Sequence, residues 1–458
     1  MKQFLFSILI VLFISTFSGY DFALSGEDFE YHGYFRSGVG NNSKGGNQIC
    51  LNNPGAGSNE FRIGNECTSY GEIAFVGHHL KPKAKNKAYF RSQIRLAFNV
   101  ATDQDWETNQ TNSTGQTIDL DTDDDGDVDT DDSPTVGDTD GGDLPAFREA
   151  YVEGGNFDGL PVSFWVGKRF YREQDIFLYD TLFFADLSGP GAGIGNIPFF
   201  RESKLHFAHL KRVDSSGVMT NVGTIPLNIY DIRIKGFKLS DSDSINFWLA
   251  TGSTPEATGA SDDKKYSANK GQAYAFLWQR NLRGGFNHLQ VVYGTGLLDS
   301  FNVWGTLLTE MNSLAQSEQN DSNRWRIANH TTLEPNAKWA FHSVLLYERR
   351  DDGSSSNSLQ HWYSAGIQPV YRMTDHFHFV SVLGTSMVDS EGSGPKRLTR
   401  LTLAPQVSVG RSIWARPTIR FFYTRTWWNK NNRGSINSDV YANELSGGSW
   451  GVQGEVWF

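Results

Sequence analysis

The sequence lacks the features of a helical membrane protein and of a nucleic-acid-binding protein. Beyond the N-terminus, no stretch is long and apolar enough for a transmembrane helix, and the mean hydropathy is −0.43. The net charge is −10, but it comes from one acidic segment, and the nearly neutral remainder argues against a nucleic-acid partner because nucleic-acid-binding surfaces are basic. No linker and no internal repeat divides the 458 residues, so we expect one large domain rather than several.

Cysteine is scarce as well. The chain has two cysteines, Cys50 and Cys67, and they would close a short loop. In an exported protein both thiols would be oxidised, and a disulfide of this span stabilises a fold by about 3 kcal/mol in the chain-entropy model. Two free thiols are the alternative.

Basic residues are missing from one segment. Between Asp119 and Asp143 there are twelve aspartates and no lysine or arginine. Without this segment the chain would be nearly neutral, so a single insertion carries the acidity of the whole protein.

The one apolar run lies at the N-terminus. It spans residues 4–17, follows Met1 and Lys2, and is itself followed by small residues. This order predicts a signal peptide over residues 1–25, with cleavage after Ser18 or Ser25. An uncleaved anchor is the alternative. We therefore expect an exported protein.

Glycine and aromatic residues are abundant, and they occur in segments that alternate with period two. In the last nine residues, Trp450, Val452, Val456 and Phe458 share one parity, whereas Gln453, Glu455 and Trp457 share the other. Successive side chains of a strand point to opposite faces, so this segment predicts a strand with one apolar and one mostly polar face. Trp457 is the exception, a large aromatic residue on the polar face.

A second segment shows which face meets lipid. Over residues 90–100, apolar side chains alternate with Arg91, Gln93, Arg95 and Asn99. An arginine near the middle of a bilayer costs about 2–4 kcal/mol, so the polar face should line a water-filled interior. The pattern predicts an all-β fold, a transmembrane antiparallel β-barrel in a bacterial outer membrane. A soluble sandwich, with its charges outward, is the alternative.

Long polar stretches alternate with short connections, such as the one at residues 281–285. The long stretches are residues 40–58, 103–143, 186–199, 253–270, 299–323 and 429–446. Long loops at one end and short turns at the other are typical of outer-membrane barrels.

Several motifs together resemble those of the maltoporin family of sugar-specific porins. They are Tyr31-His-Gly-Tyr-Phe-Arg-Ser-Gly38, Arg62-Ile-Gly-Asn-Glu-Cys67, Val166-Gly-Lys-Arg-Phe-Tyr171, Asp186-Leu-Ser-Gly-Pro-Gly-Ala-Gly193 and Ser412-Ile-Trp-Ala-Arg-Pro417. The resemblance runs from about residue 29 to the C-terminus and is looser over residues 200–400. It implies one barrel domain over residues 26–458, with probably 18 strands, inward-folded constriction loops and a homotrimeric assembly. The implied function is passive diffusion of maltose or maltodextrin-like oligosaccharides across the outer membrane.

The family carries sugars over aromatic residues that line the pore. The matching positions in this chain are Tyr34, Tyr70, Trp106, Phe286, Trp414 and Trp457. Five of them, all but Trp106, share strand parity with polar neighbours, which independently predicts that they face the lumen. Trp106 lies in a long loop, which in the family reaches into the neighbouring subunit. Girdle aromatics that face lipid are the alternative for any single position.

A polar track accompanies the aromatic one in the family. The matching residues are Arg36, Arg62, Glu72, Arg148, Asp175 and Asp180. Flat rings suit the C–H faces of a sugar, and ionised side chains form strong hydrogen bonds with its hydroxyl rim. Alternatively, these charges only set an electric field, as in a less selective general porin, and Lys168 and Arg169 are simple wall charges.

The constriction departs from the family pattern. Glu173 stands where the family has arginine, and no tyrosine occurs in residues 182–184, where the family has one. These changes leave the identity of the transported sugar undetermined, and sucrose or other glucosides are the alternative substrates. A remote alternative is an outer-membrane glycan hydrolase, for which Asp175 and Asp180 would have to form an acid–base pair.

Residues 107–145 form an insertion that the family lacks. Within it, Asp121, Asp123, Asp125, Asp127, Asp129 and Asp132 fit the spacing of a calcium loop. Gly126 permits the sharp turn, and Asp127 would contribute its backbone carbonyl. The segment predicts a Ca²⁺ site, with a solvated acidic loop as the alternative. Transport itself needs no cofactor, and the expected partners are oligosaccharide, outer-membrane lipid and two further copies of the chain.

Overall fold

The computed structural model describes residues 28–101, 146–301 and 320–458, except 58, 83, 85, 86, 181, 214–218, 261–263, 437 and 438. Within these residues, 18 long strands form one closed sheet. In chain order they are β1 (Phe29–Asn42), β2 (Thr68–Leu80), β3 (Tyr89–Ala101), β4 (Ala146–Gly155), β5 (Ser163–Arg169), β6 (Gly189–Pro198), β7 (Lys204–Val213), β8 (Pro226–Lys238), β9 (Asp243–Ser253), β10 (Lys270–Leu282), β11 (Gly285–Gly296), β12 (Asn323–Leu333), β13 (Trp339–Asp351), β14 (Leu359–Arg372), β15 (Phe377–Ser390), β16 (Lys396–Ser408), β17 (Thr418–Trp428) and β18 (Ser446–Trp457).

Every strand pairs antiparallel with its neighbours in sequence, and β1 pairs with β18 to close the barrel. At this seam, Tyr34 lies opposite Trp457, and Val39 lies opposite Val452. Closure leaves no free sheet edge, so every strand can satisfy its backbone hydrogen bonds on both sides. The predicted 18-stranded antiparallel barrel is confirmed.

The period-two pattern decides which side chains face outward. In β3, Phe90, Ile94 and Phe98 point away from the barrel, whereas Arg95 lies inside and pairs with Glu149 of β4. In β17, Ile419 is 62% exposed on the outer face, and its neighbour Arg420 is 3% exposed. The alternative of a sandwich with outward charges is wrong, because the charges are inside.

The two ends of the barrel differ in the length of their connections. Residues 43–67, 170–188, 254–269 and 429–445 connect strands at one end, whereas residues 239–242, 283–284 and 373–376 are turns at the other. Gly284 occupies a left-handed backbone conformation (φ 78°) in the two-residue turn 283–284, which glycine adopts without the steric cost of a Cβ. This asymmetry was predicted from the polar stretches.

One predicted loop is wrong: residues 186–199 consist mostly of strand β6. The lumen-facing positions of β6 are glycines, which have low strand propensity and give no hydrophobic pattern. The tertiary structure explains them, because a Cβ at Gly193 would lie 2.5 Å from the indole nitrogen of Trp165 on the adjacent strand.

Two of the long connections fold into the barrel. Residues 59–60 of the first pair with residues 179–180 of the second, and residues 172–175 of the second pair with residues 183–186. Their apolar side chains, including Phe61, Ile176 and Tyr179, are fully buried against the inner wall. An 18-stranded barrel is too wide for its wall side chains to fill, so these segments narrow it. The predicted inward-folded loops are confirmed.

The predicted disulfide joins Cys50 and Cys67, whose Cα atoms are 5.8 Å apart, and it closes the first of these inner segments. It links the segment to the residue that precedes β2. No helix among the described residues is long and apolar enough to cross a membrane.

Candidate functional site

Three predicted aromatic residues meet at the seam of the barrel. Tyr34 of β1 stacks on Trp457 of β18, with ring centroids 6.5 Å apart and an interplanar angle of 25°. The Tyr34 ring also lies 6.1 Å from that of Tyr70 on β2. The three strands are neighbours, and the three residues share the lumen-facing parity. We call Tyr34, Tyr70 and Trp457 the seam rings.

The other two described residues of the predicted track belong to a second group of rings. Trp414 lies 4.5 Å and Phe286 lies 6.5 Å from Phe177, which comes from the second inner segment. Three imidazoles complete the group: His288 stacks on Phe286 at 4.2 Å, and His330 and His342 lie 5.2 and 5.8 Å from Phe177. We call Phe177, Phe286, His288, His330, His342 and Trp414 the Phe177 cluster.

The parity argument was wrong for Trp414. This residue lies in the connection 409–417, before β17 begins at Thr418, so strand alternation does not orient it. Its position depends on the turn, where its backbone N–H donates to the Ser412 hydroxyl at 3.3 Å. Trp106, residues 107–145 with the six aspartates, and residues 1–25 lie outside the described residues.

Charged side chains form a hydrogen-bond network around the Tyr34 hydroxyl of the seam rings. Glu455 accepts hydrogen bonds from the Tyr34 hydroxyl at 3.2 Å, from Arg416 at 2.8 Å and from Arg420 at 2.7 Å. Arg62 donates to the same Tyr34 hydroxyl at 3.0 Å. A buried carboxylate needs such partners, since burying a charge without them is costly. The tyrosine is therefore held in one orientation.

Arg36, Arg62 and Asp180 of the predicted polar track belong to the same network. Arg36 binds Glu66 at 2.8 Å and Asp180 at 3.0 Å, and Arg62 binds Glu66 at 2.7 Å. The pairing of Arg36 with Asp180 ties β1 to the second inner segment. The network thus fixes the inner segment relative to the wall on which the seam rings lie.

Glu72 and Arg148 lie in a neighbouring group. Tyr70 donates to Glu72, which is also paired with Arg95 at 3.0 Å. The guanidinium carbons of Arg95 and Arg148 each lie 5.3 Å from the centre of the Phe170 ring. Charges and rings therefore lie together in this part of the lumen.

Asp175 and Asp180 have different electrostatic surroundings. Burial raises the pKa of Asp175 to about 6, although Arg62 and Arg172 act in the opposite direction. One of its carboxyl oxygens, Oδ1, is buried without a hydrogen-bond partner among the described residues. Burial would also raise the pKa of Asp180, but Arg36 and Arg62 lower it below the ordinary value.

Sequence reasoning missed several residues of the site. His330 and His342 lie on the lumen parity of β12 and β13, so alternation could have found them. Phe177 and Glu66 lie in the inner segments, where no strand period applies, and only the tertiary structure shows their partners. No group of three or more His, Cys, Asp or Glu side chains that could hold a metal ion occurs among the described residues.

An 18-stranded barrel with an apolar outer face, a charged lumen and two inner segments defines an outer-membrane channel of the porin type. The sequence matches the model of the family described as LamB porin over residues 29–458, and the chain belongs to that family. The resemblance predicted from the motifs is confirmed.

Similar solved structures have low sequence identity. They include Pseudomonas aeruginosa OccK3 (OpdO), with 10% identity, 94% of this chain and 96% of that chain covered, and a TM-score of 0.43. Acinetobacter baumannii OccAB1 has 10% identity, coverages of 94% and 97%, and a TM-score of 0.45. A loop L8 deletion mutant of OmpT, an outer membrane protein of Vibrio cholerae, has 6% identity, coverages of 94% and 99%, and a TM-score of 0.40.

Proposed function

We propose that this porin is a passive channel selective for oligosaccharides, with maltose and maltodextrins as the leading substrates. The observation that carries the proposal is the seam rings, backed by Arg36, Arg62 and Glu455. Such a surface matches a sugar, because the rings meet its C–H faces and the charged groups meet its hydroxyls. A channel must also release its substrate, so several shallow contacts suit it better than one deep pocket.

The roles of the individual residues follow from this proposal. The aromatic track would be Tyr34, Tyr70, Trp106, Phe286, Trp414 and Trp457, and the polar track Arg36, Arg62, Glu72, Arg148, Asp175 and Asp180. Each ring would guide a sugar unit towards the next ring. The binding free energy at any one site can be small, because a millimolar Kd corresponds to only about −4 kcal/mol.

A second candidate is a channel for sucrose or other glucosides, and the constriction supports it. Leu182 and Phe184 have no hydroxyl group to offer a sugar, and both side chains are buried. Glu173 replaces an expected arginine, and its carboxylate binds Arg233 of β8 at 2.7 Å. Both changes alter the narrow part of the lumen, where substrates of different shape would be distinguished.

We further propose a homotrimer, in which Trp106 of one subunit reaches the pore of the next, and export by residues 1–25. The aspartates of residues 121–132 would bind Ca²⁺ in the range of extracellular modules, about 10⁻⁴–10⁻³ M. Crosslinking in native membranes tests the trimer, and mass spectrometry of the mature N-terminus tests cleavage. Calcium calorimetry on the intact protein tests the insertion, and no heat below about 10 mM would exclude the site.

Sugar selectivity is tested by single-channel current in a planar bilayer, titrated with maltodextrins, sucrose and cellodextrins. We expect concentration-dependent block by maltodextrins that strengthens with chain length, because a longer sugar covers more rings. Block by sucrose alone would favour the second candidate. An absence of block by every sugar would leave a general porin, and release of shorter sugars would indicate the hydrolase.

Replacement of Trp414 by alanine should weaken maltodextrin block by about tenfold, the effect of losing one aromatic contact of about 1.5 kcal/mol. Conductance should rise little, because Trp414 lies in the connection 409–417 at the short-turn end of the barrel and does not belong to the inner segments. Trp427→Ala is the matched control, since Trp427 faces outward on β17 and is 42% exposed there. Equal effects of the two substitutions on block would contradict the proposed role of Trp414.

A further inference from the structure

Arg172 has an arrangement that neither the aromatic nor the polar track accounts for. It lies in the second inner segment, with its guanidinium carbon 4.0 Å from the centre of the Phe170 ring and 4.6 Å from that of Phe183. Contact with two rings restrains the position of the guanidinium, while its N–H groups are left for hydrogen bonds. The side chain is half-buried inside the barrel.

Many arginines of the lumen form ion pairs, which Arg172 lacks among the described residues. Their carboxylate partners lie within 2.6–3.5 Å, as for Arg36, Arg62, Arg91, Arg95, Arg169, Arg324, Arg326, Arg416 and Arg420. Among the residues that the structure describes, no carboxylate lies within 4 Å of the Arg172 guanidinium, which has no hydrogen-bond partner there; it contacts the two rings, and Asp175 acts on it only at longer range. The half-buried Arg172 guanidinium therefore keeps N–H donors that are available to an acceptor from outside the protein.

The two nearest carboxylates in sequence and in backbone pairing have other partners. Glu173 binds Arg233 at 2.7 Å and also pairs with Lys235. Asp186, which lies opposite Arg172 in the short inner pairing, accepts a hydrogen bond from the Ser188 backbone N–H at 2.9 Å. The inner segment thus provides charges on both sides of Arg172, but none of them binds its guanidinium.

The surroundings of Arg172 include other positive charges. Arg95 and Arg148 stack on the same Phe170 ring, from the strands β3 and β4. The charge of Arg95 is compensated by Glu72 and Glu149, with N–O distances of 3.0 and 2.6 Å. Arg148 and Arg172 carry like charges that repel each other, and both lie near the Phe170 ring, with their guanidinium carbons 5.3 and 4.0 Å from its centre. An anionic group placed between these two guanidinium groups would relieve that repulsion.

We propose that Arg172 is the centre of an oxyanion subsite, which binds the carboxylate of a sugar acid or the phosphate of a sugar phosphate. Both groups match the planar fork of arginine, which donates two parallel N–H bonds to one oxyanion. The proposal deepens the proposed function, since it rests on this channel conducting saccharides. The channel then accepts acidic saccharides in addition to neutral ones, and Arg172 confers the preference.

The test compares charged and neutral sugars of equal size in the bilayer assay. One pair of probes is digalacturonate and maltose, and the other is glucose 6-phosphate and glucose. In the wild-type channel the charged sugar should block at a concentration about tenfold lower than its neutral counterpart. This factor corresponds to the lower end of the free-energy range for a hydrogen bond to a charged group. A preference for the charged sugar in only one of the two pairs assigns either the carboxylate or the phosphate as the ligand.

Three variants separate recognition from the electric field. Arg172→Gln should remove the preference for the charged sugar, and Arg172→Lys, which keeps the charge but not the planar fork, should retain less than half of it on a logarithmic scale. Arg169→Gln is the matched control, because Arg169 also stacks on two rings, at 4.7 and 4.9 Å, but has Glu153 as a partner at 3.5 Å. It should keep the full preference.

The outcomes distinguish this proposal from the proposed function. Equal block by charged and neutral sugars in the wild type, or an unchanged preference in Arg172→Gln, overturns the oxyanion subsite. Maltotriose block should persist in every variant, and if it persists while the charged preference is absent, only the subsite is wrong. If no saccharide blocks the wild type, the proposed function fails as well.

Discussion

At the scale of single residues, the inner segment places two aspartates in contrasting environments. Burial raises the pKa of Asp175 to about 6, whereas Arg36 and Arg62 hold the pKa of Asp180 below its ordinary value. The first carboxyl is therefore neutral in mild acid and charged at neutral pH, and the second is charged under both conditions. The charge of the constriction should depend on pH through Asp175.

This difference predicts a pH-dependent ion selectivity. Because the raised pKa keeps Asp175 neutral below about pH 6, the lumen gains one negative charge as the pH rises from 5 to 7. The preference for cations over anions should increase over that interval, measured as the reversal potential in a potassium chloride gradient. Asp175→Asn should remove the increase.

Asp180→Asn provides the comparison for this titration. It should shift the selectivity at both pH values by a similar amount, since the Asp180 carboxyl is ionised throughout. A reversal potential in Asp175→Asn that still changed with pH as in the wild type would assign the titration to another group.

At the scale of elements, one buried carboxylate anchors the first inner segment to the barrel wall. Glu60 accepts hydrogen bonds from the Trp362 indole at 3.1 Å, from Ser364 at 2.6 Å and from Ser386 at 2.7 Å. Arg400 of β16 donates to the carbonyl oxygen of Glu60. Residues of β14, β15 and β16 therefore converge on a single position of the segment.

Glu60→Ala should loosen the constriction without opening the barrel. The substitution leaves the Trp362 indole and the Ser386 hydroxyl without an acceptor, and each buried donor left in this way costs about 1–3 kcal/mol. We expect larger fluctuations of the open-channel current and a lower thermal unfolding midpoint, because the inner segment no longer binds the wall firmly.

Asn59→Ala is the matched control for this substitution. Asn59 is the exposed neighbour of Glu60, and its side chain bonds only to Asn52, at 2.8 Å, among the described residues. Its current noise and unfolding midpoint should match the wild type. A quiet channel in Glu60→Ala would show that the Cys50–Cys67 disulfide and the apolar contacts hold the segment without the carboxylate.

At the scale of the whole molecule, closure of the barrel depends on close backbone contact at the seam between β1 and β18. Gly451 lies opposite Gly40, and a Cβ at Gly451 would lie 2.3 Å from the carbonyl oxygen of Val39. Backbone atoms cannot move aside as a side chain can. The seam therefore has no room for a methyl group at this position.

Gly451→Ala should destabilise the barrel by about 1–3 kcal/mol, the usual range for overpacking. The measurement is the temperature at which the folded band disappears in semi-native gel electrophoresis. Gly454→Ala is the control on the same strand, because a Cβ there would have its nearest neighbour at 3.9 Å. A lower transition for Gly454→Ala than for Gly451→Ala would contradict this account of the seam.

The barrel could be predicted from local pattern, but the site could be predicted only in part. Alternation correctly gave the inward direction of Tyr34, Phe286 and Trp457, because each lies in a strand where parity applies. It does not apply to Trp414, which a turn positions although its ring also lies in the lumen against Phe177, and it could not find Phe177 in the inner segment. The motifs indicated which residues to compare, but not that the described rings divide into two groups.

The sequence by itself determined the membrane-spanning architecture of this protein. Period-two alternation fixes which face of each strand meets lipid. This information is local, because it depends only on the order of neighbouring residues within each strand. The tertiary structure alone decided that β6, with its lumen-facing glycines, is a strand, and that Glu60, Glu66 and Arg172 lie within the lumen. Those outcomes depend on contacts between residues far apart in the chain, such as Glu60 with Ser386 and Glu66 with Gln453, which no local period encodes.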